Sequence, residues 1–155
     1  FSGSSRQLLK PFRHVFCQTD LDRERYLALG AAHVSVSGNL KYSAEPLPCD
    51  EHTLNALERR IAGRPCWVYA STHAGEEEMA ARMQKRLKRY IPEIITIIVP
   101  RHPHRGKEIH KTLKALGQNV IRRGEKKNLP DKYTDIYLCD TLGELGLFFI
   151  VSIAF

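Results

Sequence analysis

The feature that most constrains the fold is the apolar run Ile94–Val99, which ends abruptly at Pro100. A run of this length, rich in β-branched residues and bounded by proline, is typical of a buried strand. The loop that follows, Arg101-His102-Pro103-His104-Arg105, carries two arginines and two histidines. Ligands of open α/β sheets bind just beyond the carboxyl ends of strands, and a guanidinium suits phosphate or carboxylate. The pattern therefore predicts an anion-binding loop, with a solvated basic loop as the alternative.

Two further apolar runs end in a similar way. Cys66–Ala70 is followed by the small polar loop Ser71–Gly75, and Ile136–Cys139 is followed by Asp140–Gly146. Apolar residues at helical spacing follow these loops, so strands alternate with helices along the chain. This alternation predicts an α/β fold with a mostly parallel sheet, which would bring the polar loops to one edge.

The helix expected from about Gly75 to Tyr90 repeats apolar residues at every fourth position. Met79, Met83 and Leu87 are therefore predicted to form its buried stripe. The polar side of this helix carries five cations, namely Arg82, Lys85, Arg86, Lys88 and Arg89. We expect a solvated face there, and attraction to anionic lipid headgroups is the functional alternative.

The last apolar run, Phe148–Phe155, is predicted to be a strand that follows a short helix beginning near Leu142. The chain has no initiator methionine and stops inside this run without a turn or a polar tail. Because an unfinished strand leaves a sheet edge bare, we expect the sequence to be a piece of a longer protein.

Charge and composition restrict the possible partners. The 155 residues carry a formal net charge of +7, which favours anionic ligands. Nucleic acid is not expected, because no RNA-binding or zinc-finger signature accompanies the charge. The four cysteines contain no CxxC pair, which favours a reducing compartment over a disulfide framework or a zinc site. The sequence contains no HExxH, EF-hand or GxSxG spacing, so it predicts neither a metal centre nor a serine hydrolase.

Four segments, in this order and spacing, resemble the 3-deoxy-D-manno-octulosonic acid (Kdo) transferases. They are SGNLKY at Ser37–Tyr42, STHAGEE at Ser71–Glu77, PRHPHR at Pro100–Arg105 and DTLGELGLFF at Asp140–Phe149. The resemblance implies a GT-B glycosyltransferase that moves Kdo from CMP-Kdo to a lipid A precursor. It further implies that the enzyme acts at the cytoplasmic face of the inner membrane of Gram-negative bacteria, in contact with an anionic membrane surface. Neither a cofactor nor a metal is implied. Any membrane anchor would lie outside this chain.

The resemblance also suggests how the chain is divided. Pro46 and Pro48 predict a linker, because proline fixes φ and supplies no backbone donor. Residues 1–45 would be the end of the acceptor-side domain, and residues 46–155 most of a Rossmann-like nucleotide-sugar domain. The glutamate that serves the family as general base is expected outside this chain, so no residue here is predicted to be catalytic. An aspartate that the family normally carries near Ser152 is missing.

Three candidate substrate contacts lie in the loop after Ile94–Val99. Arg101 is the first choice, because its position after the strand directs it across the end of the sheet. His102 either hydrogen-bonds a ligand or orders the loop. Arg105 is either a second anion contact or an exposed cation.

Five further candidates lie elsewhere. Gly143 can present the start of a helix to a phosphate, and Glu144 either favours the helix dipole or accepts ribose hydroxyls. Ser71 and His73 either cap the following helix or contact the sugar nucleotide. Lys41 is either a surface lysine or a contact for the Kdo carboxylate or a lipid phosphate.

Two other functions fit the same residues. One is a different GT-B-like nucleotide-sugar enzyme, such as an epimerase. The other is a noncatalytic basic domain that docks on an anionic membrane or on nucleic acid. Specificity for cytidine, for uridine, or for no base would distinguish the three.

Overall fold

The computed structural model describes residues 2–43, 45–61, 63–124 and 126–153, and contacts divide the chain into two units, 1–45 and 46–155. The first unit contains helix α1 (Ser2–Leu9), strand β1 (Val15–Cys17), helix α2 (Asp20–Ala28) and strand β2 (Val34–Val36). Strands β1 and β2 pair in parallel. The hydroxyl of Thr19 accepts a hydrogen bond from the Asp22 N–H at 3.1 Å, which caps the start of α2. A 3-10 helix follows at Leu40–Ser43.

The second unit is a parallel sheet with helices on both faces. Its elements are α3 (Glu51–Ile61), β3 (Cys66–Thr72), α4 (Glu76–Leu87), β4 (Ile95–Pro100), α5 (Gly106–Ala115), β5 (Val120–Arg122), β6 (Ile136–Leu138) and α6 (Leu145–Ile153). The strand order is β3-β4-β6-β5, and every pair is parallel. The predicted α/β fold with a parallel sheet is therefore confirmed. All four strands deliver their following loops to the same edge of the sheet.

Strand β4 is buried along its whole length and divides the core in two. Ile95, Ile97 and Val99 pack on one face with residues of α3 and α6. Ile98 lies on the other face, with residues of α4 and α5. Successive side chains of a strand point to opposite faces, so a continuous apolar run is what a strand covered on both sides requires.

The final apolar run forms helix α6, so the prediction of a strand was wrong. Leu147, Phe148 and Val151 are buried, whereas Phe149 and Ile150 are 40% and 41% exposed. This alternation has a helical period, but a run in which only Ser152 is polar shows no period from which to choose helix or strand. Residues 154 and 155 lie outside the described residues.

The buried stripe of α4 was also predicted wrongly. Its inward residues are Glu77, Ala80, Ala81 and Gln84, while Met79 and Met83 are 51% and 43% exposed. Gln84 is inward because its amide donates to the Ile94 carbonyl at 2.9 Å and accepts from the Thr96 hydroxyl at 2.6 Å. Small alanines let the helix approach the sheet closely, and hydrogen-bonded polar groups are tolerated between them.

Every helix formed by the described residues is too short or too polar to span a lipid bilayer.

Candidate functional site

Arg101 begins the loop after β4 at the carboxyl edge of the sheet. Its backbone N–H donates to the Thr72 carbonyl at 3.0 Å, which ties this loop to the end of β3. The side chain is exposed and makes no hydrogen bond or ion pair with any described residue. An unpaired guanidinium held by a fixed backbone is available to bind an anion.

Three exposed histidine rings lie next to one another at the ends of β3 and β4. The ring centre of His102 is 6.2 Å from that of His73 and 5.6 Å from that of His104. Within the described parts of the chain, no three histidine, cysteine or carboxylate side chains converge closely enough to hold a metal ion. The rings instead offer hydrogen-bond donors and acceptors beside Arg101.

The end of β3 is irregular. Ser71 has a φ of 59°, and the register with β4 shifts between Ala70 and Thr72. A left-handed backbone is unfavourable for a serine, and such strain collects at functional sites. After the strand, the His73 N–H donates to the Glu76 carboxylate at 2.8 Å. The backbone of His73 therefore takes part in the start of α4, as the capping interpretation requires, while its ring stays exposed.

Arg105 is not a free cation. Its guanidinium donates to both carboxylate oxygens of Glu77, at 3.1 and 3.4 Å, and the Thr72 hydroxyl donates to the same carboxylate at 2.9 Å. The Glu77 side chain is only 3% exposed. A buried bidentate pair of this kind fixes the loop after β4 against α4, so Arg105 supports the loop that carries Arg101.

A second bidentate pair lies beneath the turn after β6. Arg123 is fully buried, and its guanidinium donates to both oxygens of Glu144 at 2.7 Å. Its remaining nitrogen donates to the Tyr137 hydroxyl at 2.9 Å, and that hydroxyl donates to the Asn128 carbonyl at 2.7 Å. Burial raises the pKa of the Tyr137 hydroxyl well above its usual value, against the opposing effect of the Arg123 guanidinium, so the hydroxyl stays protonated. The guanidinium is thus satisfied on all sides.

Glu144 is committed to this network. It precedes α6 rather than lying in the first turn, which corrects the expected position. Besides Arg123, the Thr141 hydroxyl donates to it, and Lys127 lies 3.5 Å away. Gly143, with a φ of 78° and open space around it, forms the exposed turn that these bonds hold. The carboxylate therefore anchors the turn, and its lone pairs are already largely engaged.

Acid is expected to destabilise the second unit through Glu144. The hydrogen bonds from Arg123, reinforced by Thr141, lower the pKa of this carboxyl from 4.5 to about 2. Between these values the unfolded chain binds a proton that the folded chain does not, so lowering the pH favours unfolding. The free energy of unfolding, measured by urea denaturation, should fall as the pH drops through this window. The decline should be shallower in Glu144→Gln, and an equal slope in both proteins would contradict this assignment.

Asp140 joins three elements at the same edge. Its buried carboxylate accepts from the Gly124 N–H at 2.9 Å and from the Arg122 guanidinium. It also lies against the first residue of α5, because a Cβ on Gly106 would stand 1.9 Å from the Asp140 Oδ2. The start of α5 is therefore occupied by a carboxylate of the protein itself, which its helix dipole favours.

Replacing Gly106 with alanine is expected to destabilise the second unit by about 1–3 kcal/mol, the usual cost of overpacking a filled site. The backbone φ of −52° suits alanine, so the loss would come from the contact with Asp140. Thermal unfolding measures the effect. Gly3→Ala is the control, because no atom lies within 4 Å of the added methyl group. Equal melting temperatures for Gly106→Ala and the unchanged chain would refute the close contact.

A pocket of about 470 Å³ opens above β5 and β6. It is lined by Pro103, His104, Arg122, Gly124, Lys127, Asp140, Thr141, Leu142 and Glu144. The described lining thus combines backbone turns with cations and with carboxylates that are already paired. Arg101, His73 and His102 lie on the β3–β4 side of the same edge. Together the two sides can bind a ligand that has both an anionic group and several hydroxyls.

The predicted residues are thus distributed unevenly. Arg101, His102 and His73 lie near one another, Ser71 and Arg105 support their loops, and Gly143 with Glu144 forms the turn after β6. Lys41 belongs to the first unit, where it is exposed. Sequence reasoning missed Arg122 and Arg123. Arg122 ends β5 and Arg123 directly follows it, so the rule of basic residues at the end of a strand, which singled out Arg101, could have found them.

The chain has close relatives along most of its length. Residues 1–44 match the family model described as 3-deoxy-D-manno-octulosonic-acid transferase (kdotransferase). The 3-deoxy-D-manno-octulosonic acid transferase of Rickettsia felis is 33% identical over 94% of this chain and 31% of its own length. That of Haemophilus influenzae is 33% identical over 89% of this chain and 33% of its own length. The chain therefore spans about a third of the length of these relatives.

One solved structure resembles the described fold. It is the C-terminal CMP-Kdo binding domain of WaaA from Acinetobacter baumannii, with a TM-score of 0.58 and 27% identity. The match covers 66% of this chain and 55% of that domain. Sequence and structure agree on the same family, in keeping with the resemblance of the four segments. Over most of its length, the chain is therefore similar to the 3-deoxy-D-manno-octulosonic acid transferases.

Proposed function

We propose that residues 46–155 bind the CMP-Kdo donor of an enzyme that transfers Kdo to a lipid A precursor. The observation that carries the proposal is the unpaired guanidinium of Arg101, held beside His73 and His102 at the carboxyl edge of a parallel sheet. This is the edge at which such sheets bind nucleotides. The likeness to the C-terminal CMP-Kdo binding domain of WaaA supports the choice of a cytidine nucleotide.

In this proposal, the two sides of the edge divide the donor between them. Arg101 meets the negative charge of the phosphate or of the Kdo carboxylate, and the histidines hydrogen-bond the sugar. No described atom lies within 4 Å of the position that a Cβ would take on Gly143, so the backbone of this turn is open to the nucleotide. Glu144 acts mainly as the anchor of this turn, because Arg123 already takes both of its oxygens.

The chemistry follows from holding CMP as a leaving group. Negative charge grows on the phosphate as the bond to Kdo breaks, and a fixed guanidinium stabilises that charge without reorganising. The acceptor hydroxyl needs a general base, which we assign to a residue outside this chain. Residues 46–155 then contribute binding and electrostatic stabilisation rather than proton transfer.

The other parts of the proposal concern the acceptor. Residues 1–45 would belong to the acceptor-side domain, in agreement with the family model that matches residues 1–44. Lys41 would meet the Kdo carboxylate or a phosphate of the acceptor. Because the acceptor is a lipid, the enzyme would work at a membrane, and the family resemblance implies the cytoplasmic face of the inner membrane.

Calorimetric titration of the 155-residue chain with CMP, UMP and inorganic phosphate tests the donor assignment. We expect CMP to bind at least tenfold more tightly than UMP, and phosphate to compete weakly. A preference for UMP would favour another nucleotide-sugar enzyme. Binding that depends on salt but not on the base would indicate a general anion site and overturn the proposal.

A further inference from the structure

The outer face of α4 exposes an apolar strip. Met79 and Met83, one turn apart, are 51% and 43% exposed, and Tyr90, just beyond the helix, is 84% exposed. The opposite face of α4 packs on the sheet through Ala80 and Ala81. These three large side chains therefore point away from the core, although apolar residues at helical spacing normally face it.

Cations border this strip on its carboxyl-terminal side. They are Arg82, Lys85, Arg86 and Arg89, all exposed and without an ion pair to any described residue. The acidic residues of α4, Glu76–Glu78, lie at its other end. The last two turns of the helix therefore present only cations around the exposed apolar side chains.

A recess of about 350 Å³ adjoins the end of α4, between Lys85, Arg89 and the turn at Gly117. The carboxylate of Asp135 also lines it, but Lys88 and the Asn119 N–H already bind that group. Two unpaired cations thus remain at the rim, where they can receive a phosphate group.

We propose that this surface, the docking face (Met79, Arg82, Met83, Lys85, Arg86, Arg89 and Tyr90), binds an anionic phospholipid membrane. The idea rests on the proposed function insofar as a lipid acceptor requires the enzyme to work at a membrane. Flexible thioethers and a tyrosine can enter the interfacial layer while the long cations reach lipid phosphates. Four unpaired cations clustered beside a narrow apolar strip on one helix are complementary to an anionic lipid surface, which attracts each basic side chain that comes near it.

The docking face does not overlap the candidate donor site. Helix α4 begins at the carboxyl edge of the sheet and runs back toward the start of β4, so its last turns lie near the amino edge. Changes in the docking face should therefore leave nucleotide binding intact, which allows the two functions to be tested separately.

Cosedimentation of the 155-residue chain with vesicles tests this proposal. We expect binding to vesicles of phosphatidylcholine and phosphatidylglycerol in equal parts, and little binding to pure phosphatidylcholine. Arg82→Glu with Arg86→Glu should lower the partition coefficient at least about thirtyfold, because each cation near an anionic leaflet contributes about fivefold. Met79→Ser with Met83→Ser should also weaken binding, since the apolar strip would no longer enter the interface.

The control variant combines Arg60→Glu with Lys111→Glu, which makes the same change of net charge at exposed cations of α3 and α5. Binding should survive in this control. An equal loss in the control and in the arginine variant would mean unspecific attraction and overturn the proposal. Binding to polyglutamate as tight as the binding to vesicles, and unchanged by Met79→Ser with Met83→Ser, would also overturn the proposal, because that result indicates an acidic protein partner.

CMP titration of the same proteins separates this idea from the proposed function. A chain that binds CMP but no anionic vesicles refutes the docking face and leaves the donor assignment standing. A chain whose vesicle binding depends on the docking face but which binds no CMP refutes the donor assignment alone.

Discussion

Replacing Arg123 with alanine is expected to lower the free energy of unfolding of the second unit by about 3–5 kcal/mol, the range for breaking a buried ion pair from one side. The guanidinium is fully buried and donates to Glu144 and Tyr137. Without it, the Glu144 carboxylate loses both bidentate bonds, and the Phe148 ring, 5.9 Å from the guanidinium carbon, loses a packing partner. Urea denaturation followed by circular dichroism gives the difference in stability.

Lys127 provides the matched control for this prediction. It approaches the same carboxylate at 3.5 Å but is 63% exposed, so Lys127→Ala should cost less than about 1 kcal/mol. Arg123→Met combined with Glu144→Leu should recover part of the loss, because removing both partners leaves no uncompensated buried charge. If Arg123→Ala and Lys127→Ala have the same small effect, Arg123 does not hold the turn after β6.

The sheet could be predicted because its strands obey simple rules. Ile94–Val99 and Ile136–Cys139 are short apolar runs, the first made entirely of β-branched residues, and each ends at a loop that breaks the strand. Helix α3, which precedes β3, and helix α5, which follows β4, show a clear amphipathic period. The order β3-β4-β6-β5 was not predictable in this way, because strand neighbours depend on long-range packing rather than on local pattern.

The two errors share a physical cause. In α4, two faces of the helix have the same spacing, and the methionines are more hydrophobic than Ala80 and Ala81, so pattern alone chooses the wrong face. The face with the small alanines and the hydrogen-bonded Gln84 is the buried one, because it allows close packing against β3 and β4. In α6, every position except Ser152 is apolar, and only the tertiary structure decides between strand and helix.

The candidate site could be predicted in part. The rule that ligands bind after parallel strands found Arg101, His73 and Gly143, since it needs only strand ends and residue types. It could not tell which cations are free. Arg105 is paired with Glu77 and Arg123 with Glu144, across 28 and 21 residues of sequence, and such pairs emerge only when the elements are packed together.

Arg105 and Arg123 are paired with carboxylates, whereas Arg101 pairs with none among the described residues, so the largest effect on activity is expected from replacing Arg101. Arg101→Ala, in the full-length enzyme that contains this sequence, should reduce kcat/KM for Kdo transfer by about 30- to 900-fold. This corresponds to the roughly 2–4 kcal/mol lost when one preorganised electrostatic donor is removed. Stability should change by less than about 0.5 kcal/mol, because the side chain is exposed and bonds to no described residue.

Two comparisons make the Arg101 result specific. Lys111→Ala removes an exposed cation from α5 and should leave kcat/KM unchanged, whereas Arg101→Lys should retain only part of it, because an ammonium cannot form a bidentate pair. CMP titration of the 155-residue chain carrying Arg101→Ala then locates the loss. If CMP binds less tightly, Arg101 meets the phosphate in the ground state. If CMP binding is unchanged while kcat falls, it acts on charge that develops as the donor bond breaks or on the Kdo carboxylate. An Arg101→Ala enzyme with unaltered kcat/KM would remove this residue from the site.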